Sequence, residues 1–248
     1  MARIISTPEG APAPRIDRNS VETFFKQRAA KAAQLGHVQA VIYQDKNPEL
    51  ARQRDAAEKA KLMPLLNLRG DETVLDVGCG TGRWADVIVP NCSYYLGTDF
   101  SQGLVDIATE RFKNISHARF LCLPAEQVSD TKIDKRFNLI LSLGLFIYLN
   151  DEELVQTIRG YASVADSSCR IMIREPVGTT GRLTIKEHFS EDMDQIYNAI
   201  YRTEEEILEV MQSELCSAGF RFSGSGDVYE AALNNRSETK QRWMLLEK

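Results

Sequence analysis

The sequence is poor in the residues that build disulfide frameworks, metal sites and membrane segments. Its 248 residues include three histidines and five cysteines, and the cysteines are scattered without a C-x-x-C pair or a nearby histidine. This pattern indicates neither a disulfide framework nor a zinc site, and no acidic or histidine cluster indicates another metal. No run of about 18 apolar residues and no signal-peptide core occurs. We therefore predict a cytoplasmic protein that does not enter the membrane.

An excess of basic charge is also missing. The net charge is −5, so there is no general electrostatic reason to expect nucleic acid or an anionic membrane as a partner. Hydrophobic residues make up 43% of the chain and charged residues 26%, which is usual for globular proteins. The length favours one large domain or one domain with an appendage, and it leaves monomer and homodimer equally open.

The N-terminal part divides into a leader and a helical region. Residues 1–19 contain Pro8, Pro12 and Pro14 among small residues, which predicts a mobile leader. Residues 20–69 then predict a helical cap of two helices, with Ser20 and Asn47 as their N-caps.

Residues 70–248 show a different texture, in which short apolar runs alternate with helical stretches. Strands are predicted at 73–78, 94–99, 118–125, 137–146 and 169–176, with a C-terminal hairpin of two further strands. Alternation at this spacing predicts an α/β fold with a doubly wound, mostly parallel sheet that ends in an antiparallel strand. The stretch 178–202 breaks the rhythm, and we interpret it as an inserted substrate lid.

The first strand of this region leads into a glycine-rich turn, "VLDVGCGTGRW" at residues 74–84. A strand, a glycine turn and a helix together place backbone amides at the carboxyl edge of a sheet, where such folds bind ligands. Gly78, Gly80 and Gly82 give G-x-G-x-G, which is neither the dinucleotide pattern G-x-G-x-x-G nor the phosphate loop G-x-x-x-x-G-K-[ST].

With Asp76 before it, this turn resembles motif I of the class I S-adenosylmethionine-dependent methyltransferases, a family with a Rossmann-like fold. The resemblance covers about residues 70–175 and implies S-adenosyl-L-methionine as the cofactor. It also implies that the three glycines pass under the methionine and ribose portions of the cofactor. Asp76 would help to bind the cofactor's ammonium group.

Further positions match the same family. Asp99 ends the second strand 19 positions after Gly80, where a carboxylate can bind both ribose hydroxyls, and Phe100 would contact the adenine. Pro124 stands where relatives carry an acid, so either Glu126 or the backbone at Ala125 would recognise the adenine. Strand 137–146 and the loop after it would place Ser142 along the cofactor. Tyr148 would face the methyl group or the substrate, or else belong to the core.

Catalytic and substrate-binding residues are sought outside the shared motifs. Methyl transfer is an in-line displacement that needs alignment, and it needs a base only if the acceptor must lose a proton. We predict His188, Glu175 and Tyr148 as catalytic residues. For substrate binding we predict Arg174 at the end of its strand, and Tyr197 and Tyr201 on one face of a helix in the insertion with Arg202 beside them, although this face can also be plain packing. Tyr43 or Arg54 could reach the cofactor's carboxylate.

These observations predict methyl transfer to a small-molecule acceptor, with oxygen as the acceptor atom in a natural product, a sugar or a carboxylate-bearing metabolite. The alternatives are an N-methyltransferase of a small amine and a regulator that binds the cofactor without catalysis. A dehydrogenase or epimerase is disfavoured by the glycine spacing. A nucleic-acid methyltransferase is disfavoured by the acidity of the chain and by the absence of an N/D-P-P-Y/W motif.

Overall fold

The computed structural model describes residues 4–6, 13–130, 135–234 and 236–248. The strands are β1 (Ile4–Ser6), β2 (Thr73–Val77), β3 (Tyr94–Asp99), β4 (Ala118–Cys122), β5 (Phe137–Leu143), β6 (Ala165–Gly178), β7 (Leu183–Ser190), β8 (Gln195–Tyr201), β9 (Arg221–Asp227) and β10 (Thr239–Glu247). The helices are α1 (Arg18–Leu35), α2 (Gln39–Ile42), α3 (Pro48–Leu66), α4 (Ala85–Ile88), α5 (Gln102–Phe112), α6 (Asp151–Val164) and α7 (Glu204–Leu215).

A seven-stranded sheet forms the centre of the fold, in the order β4-β3-β2-β5-β6-β10-β9. Strands β4, β3, β2, β5 and β6 are parallel to one another, and β10 is antiparallel to both β6 and β9. The α/β prediction of a mostly parallel, doubly wound sheet with an antiparallel C-terminal strand is therefore confirmed. The order reverses between β2 and β5, which opens a crevice at the carboxyl ends of these strands.

The core lies on both faces of this sheet because its central strands are buried. All of Val74, Leu75, Ile140, Leu141 and Ile171 are inaccessible to solvent. One face packs against α6 and α7, and the other packs against α3 and α4. Continuous apolar runs suit parallel strands that are covered on both sides.

Part of the predicted leader is integrated into the fold. Residues 1–3 and 7–12 lie outside the described part of the chain, but β1 pairs antiparallel with β7. Ile16 is buried, and its backbone amide donates to Asn150 Oδ1 at 3.0 Å. Helix α1 begins earlier than predicted, because Asp17 rather than Ser20 is the N-cap and accepts the Ser20 amide at 2.8 Å.

The insertion 178–202 was predicted to contain a helix, and this is wrong. It forms the antiparallel pair β7 and β8, which joins β1 in a separate three-stranded sheet. This small sheet and α1 share a hydrophobic cluster that includes Phe24, Tyr148 and Tyr197, so they cover the crevice of the main sheet together. None of the helices in the described ranges is both long and apolar enough to span a bilayer.

Candidate active site

A deep cavity opens at the carboxyl ends of β2, β3, β5 and β6, under α1, α2 and β8. Its empty volume is about 1570 Å³ when the part open to solvent is included. In the described part of the chain, no group of three or more His, Cys, Asp and Glu side chains is placed to hold a metal ion.

The glycine turn forms one wall of this cavity. Gly78 and Gly80 line it and have φ values of 78° and 56°, in the left-handed region that favours glycine. A Cβ on Gly78 would come within 3.2 Å of Leu145, and one on Gly80 within 3.3 Å of Val41. The turn is held in place because Asp99 Oδ2 accepts the Gly80 amide at 3.0 Å.

Gly82 does not join the other two glycines. It is not among the residues that line the cavity, and a Cβ there would approach Phe112 of α5 at 3.2 Å. The motif thus serves two purposes, since two glycines face the cavity and the third permits close packing of the turn on α5.

Two buried carboxylates, Asp76 and Asp99, lie beside the turn and line the cavity. Burial raises the pKa of Asp99 to about 6, although the Ser101 and Gly80 amides donate to it and favour the charged form. Burial likewise raises the pKa of Asp76 to about 6 against the effect of the Tyr95 hydroxyl, which donates to Asp76 Oδ2 at 2.5 Å. Above about pH 6 both carboxylates are charged, and both lie where a hydroxyl or an ammonium group can bind.

Phe100, Ala125 and Glu126 line the neighbouring end of the cavity. Arg18 of α1 crosses this end. Its Nη1 lies 2.8 Å from Glu126 Oε1, and its Cζ lies 5.9 Å from the centre of the Phe100 ring. The structure does not place Ser142 there: it is fully buried and does not line the cavity, whereas the next residue, Leu143, does. The two differ because successive side chains of a strand point to opposite faces.

Of the three predicted catalytic residues, only Tyr148 lines the cavity. His188 lies on β7, which belongs to the small three-stranded sheet and not to the central one, and it does not line the cavity. Burial and the nearby Arg236 lower the pKa of His188, so it is neutral near pH 7. The prediction of His188 as a base at the reacting centre does not fit this position.

Glu175 is fully buried and acts on the loop after β5 instead of lining the cavity. Its Oε1 accepts the amides of Leu145 at 2.7 Å and Phe146 at 2.9 Å. Burial raises the pKa of Glu175 to about 7, although the Phe146 amide, Arg174 and the Leu145 amide favour its charged form. Glu175 therefore positions residues 144–146, which form part of the cavity wall.

This raised pKa predicts a pH dependence of stability. A carboxyl group whose folded pKa lies above the unfolded value near 4.5 adds stability below pH 4.5, and this is lost as the pH rises to about 7. We expect the free energy of unfolding to fall in this window by on the order of 1–3 kcal/mol more in the wild type than in Glu175→Gln. Urea denaturation at several pH values measures the difference. The exposed Glu209→Gln is the control and should keep the wild-type slope, and equal slopes in all three proteins would refute the assignment.

Tyr197 and Tyr201 line the cavity, but from a strand and not from a helix. They share a face because residues four apart on a strand point the same way, and their hydroxyl oxygens are 3.0 Å apart. Arg202, the next residue, points away. It donates to the Phe146 and Leu149 carbonyls, both at 2.8 Å, and to Asp151, so it fixes the same loop as Glu175 does.

Arg174 lines the cavity as predicted, but it is held by a residue that the sequence did not single out. Glu58 of α3 is buried, and its Oε1 accepts from Arg83 Nη2 at 2.6 Å, Trp84 Nε1 at 2.9 Å and Arg174 Nη2 at 3.0 Å. Its Oε2 accepts the Tyr229 hydroxyl at 3.0 Å. Burial alone would raise the pKa of Glu58, but Arg174 and Arg83 lower it to about 2. No local pattern in the alanine- and lysine-rich α3 distinguishes Glu58 from Glu49 and Asp55, the other acids of this helix.

Comparison with known proteins agrees with this geometry. Residues 74–167 match the family model of a methyltransferase domain. Phosphoethanolamine N-methyltransferase 1 of Triticum aestivum is 24% identical over 164 residues, which are 61% of this chain and 31% of that protein. The protein of the same name from Caenorhabditis elegans is 27% identical over 112 residues, which are 44% of this chain and 22% of that protein. The matches thus span less than a third of these relatives.

Solved structures extend the likeness to nearly the whole chain. Phosphoethanolamine N-methyltransferase 1 of Haemonchus contortus, in complex with phosphoethanolamine and S-adenosylhomocysteine, superposes with a TM-score of 0.68 at 18% identity over 91% of this chain and 48% of that one. A Burkholderia thailandensis 1,6-didemethyltoxoflavin-N1-methyltransferase gives 0.64 at 17% identity over 96% and 93%. Residues 74–167 thus match a methyltransferase domain, and the chain shares the fold of methyltransferases that were solved with S-adenosylmethionine or S-adenosylhomocysteine bound.

The residues of the cavity fit this cofactor. Added Cβ atoms on Gly78 and Gly80 would narrow the space beside the turn, and Asp99 retains free lone pairs on both carboxylate oxygens. Gly78, Gly80, Asp76 and Asp99 would hold the amino-acid and ribose portions. Phe100 and Ala125 would contact the adenine.

Proposed function

We propose that the protein is an enzyme that transfers a methyl group from S-adenosylmethionine to the nitrogen of a small amine. The observation that carries the nitrogen assignment is the group of Tyr43, Tyr148 and Tyr197 in the cavity wall, which we call the tyrosine wall. All three rings line the cavity, and the buried Tyr148 hydroxyl faces the hydroxyls of Tyr43 and Tyr197. Tyrosine rings attract the positive charge that passes from the sulfonium to a neutral amine nitrogen as it takes the methyl group, and a buried hydroxyl can accept an N–H.

The placement of the predicted bases supports nitrogen over oxygen. An oxygen acceptor must lose a proton as it is methylated, which calls for a base with a tuned pKa close to it. His188 and Glu175, which we predicted for this role, do not line the cavity. A neutral amine attacks with its own lone pair and needs no such group. The phosphoethanolamine N-methyltransferases among the similar proteins also act on an amine, as their names state.

Each wall of the cavity has a part in this reaction. Bound S-adenosylmethionine supplies a methyl group on a sulfonium, ready for in-line displacement. The glycine turn and Asp99 bind the donor side, while the tyrosine wall orients the amine. Helix α1 and strand β8 cover the cavity and exclude water, because Phe25 and Tyr197 are buried there.

Labelled S-adenosylmethionine incubated with the protein and a pooled metabolite extract tests this proposal. Mass spectrometry should detect a labelled methyl group on an amine, and His188→Ala should give the same product at a rate within about twofold of the wild type. A labelled ether or ester would restore the oxygen prediction. Cofactor binding without transfer to any component would favour the non-catalytic regulator.

A further inference from the structure

Arg54 on α3 is a buried cation that lines the cavity, and among the described residues it has one hydrogen bond and no ion pair. Only 6% of its surface is exposed, and within the described part of the chain its one hydrogen bond runs from Nε to the Leu233 carbonyl at 2.9 Å. Nη1 is buried without a partner among the described residues. No carboxylate in the described ranges forms an ion pair with this guanidinium.

The other buried arginines in the described ranges are all paired with carboxylates. Arg28 binds Asp45 at 2.8 Å, Arg83 binds Asp55 and Glu58, Arg174 binds Glu58, and Arg202 binds Asp151. Burying a charge without a counter-ion is costly, and arginine cannot escape the cost by losing its proton. The unpaired guanidinium of Arg54 therefore points to an anion that comes from a ligand.

The position of Arg54 places this anion on the acceptor side. Leu233, its one partner, belongs to the connection between β9 and β10, and Tyr229 and Lys240 of the same region also line the cavity. These residues lie beyond β6 in the sheet, whereas Asp99, Phe100 and Ala125 lie on the β2, β3 and β4 side. The region between β9 and β10 and the group of Asp99, Phe100 and Ala125 thus lie on opposite sides of the point where the strand order reverses. The glycine turn lies on the side of Asp99.

We infer that the acceptor carries an anionic group, a carboxylate or a phosphate ester, and that the Arg54 guanidinium binds it. This inference rests on the proposed function and narrows its substrate to amines that also bear a negative charge. The planar guanidinium binds both kinds of oxyanion through paired N–H groups. Among the described residues that line the cavity, Arg54 is the one arginine without a carboxylate partner.

Calorimetric titration of inorganic phosphate and of acetate tests the inference, first on the protein saturated with S-adenosylhomocysteine and then on the protein alone. Arg54→Met should weaken binding of the tighter probe about 10- to 100-fold, since a charge-assisted hydrogen bond is lost from a buried site. Arg54→Lys keeps the positive charge but loses the paired N–H groups of the guanidinium, so its affinity for the probe should lie between those of the wild type and Arg54→Met. The control is Arg52→Gln, a change at an exposed arginine of the same helix that pairs with Glu49, and it should bind as the wild type does.

Each outcome has a distinct meaning. Unchanged probe binding by Arg54→Met would overturn the inference. A loss of S-adenosylhomocysteine affinity in that variant would also overturn it, because Arg54 would then hold the cofactor's carboxylate. Failure of the wild type to bind S-adenosylhomocysteine would instead refute the proposed function, while the titration without it still reports on Arg54. The ligand-free melting temperature of Arg54→Met should equal or exceed that of the wild type, and a marked decrease would show that the charge is compensated within the fold.

Discussion

Replacing Asp99 by asparagine is expected to weaken binding of S-adenosylhomocysteine about 100-fold or more. Its Oδ2 accepts the Gly80 amide at 3.0 Å, and Oδ1 accepts the Ser101 amide at 2.9 Å. An asparagine must turn its NH2 group toward one of these amides, so that two donors face each other. The glycine turn then loses its anchor, and the site loses a charged acceptor for the ribose hydroxyls. Two charge-assisted hydrogen bonds at about 1.5 kcal/mol or more each account for this factor.

Isothermal titration measures the effect, and Asp106→Asn supplies the matched control. Asp106 is an exposed acid on α5, where it accepts Gln102 Nε2 at 2.7 Å and does not line the cavity. Its substitution should leave the dissociation constant unchanged. If Asp99→Asn binds as tightly as Asp106→Asn, Asp99 does not contribute to the cofactor site, and the register of Asp99 with Gly80 is only architectural.

The sequence predicted the main sheet and the glycine turn well because both depend on local patterns. A continuous apolar run between turn residues identifies a buried parallel strand. Asp76, Gly78 and Gly80 lie close together along the chain, so their pattern is visible in the sequence. The β7 and β8 pair was missed for a geometric reason. Tyr197 and Tyr201 are four residues apart, a spacing that places two side chains on one face of a helix and equally on one face of a strand.

The polar residues around the site were harder to predict, because the role of each depends on whether its side chain points toward the cavity or away from it. Arg174 and Glu175 are neighbours on β6, yet Arg174 lines the cavity and Glu175 binds the amides of the loop from Leu145. Tyr201 and Arg202 divide in the same way. In this protein, a charged residue near a strand end can therefore either hold a loop of the cavity wall in place or line the cavity itself. Only the folded chain distinguishes the two.

Glu58 illustrates the same point with the largest expected effect on stability. We expect Glu58→Gln to lower the free energy of unfolding by about 3–5 kcal/mol at pH 7, which is the usual loss when one partner of a buried ion pair is removed. The substitution leaves Arg174 without a carboxylate and Arg83 with Asp55 alone. It also turns an amide NH2 toward donors that now share one oxygen. Urea denaturation at pH 7 measures the loss.

The pH dependence separates this charge effect from a loss of packing. The pKa of Glu58 is lowered from 4.5 to about 2, so its contribution is complete above pH 4.5 and is lost as the pH falls toward 2. The difference between the wild type and Glu58→Gln should therefore shrink through this acid window. Glu49→Gln, which removes an exposed acid from the same helix, should leave stability close to that of the wild type. A Glu58→Gln deficit that stays constant from pH 7 to pH 3 would mean that shape, and not charge, makes this residue the joint between α3, the glycine turn and β6.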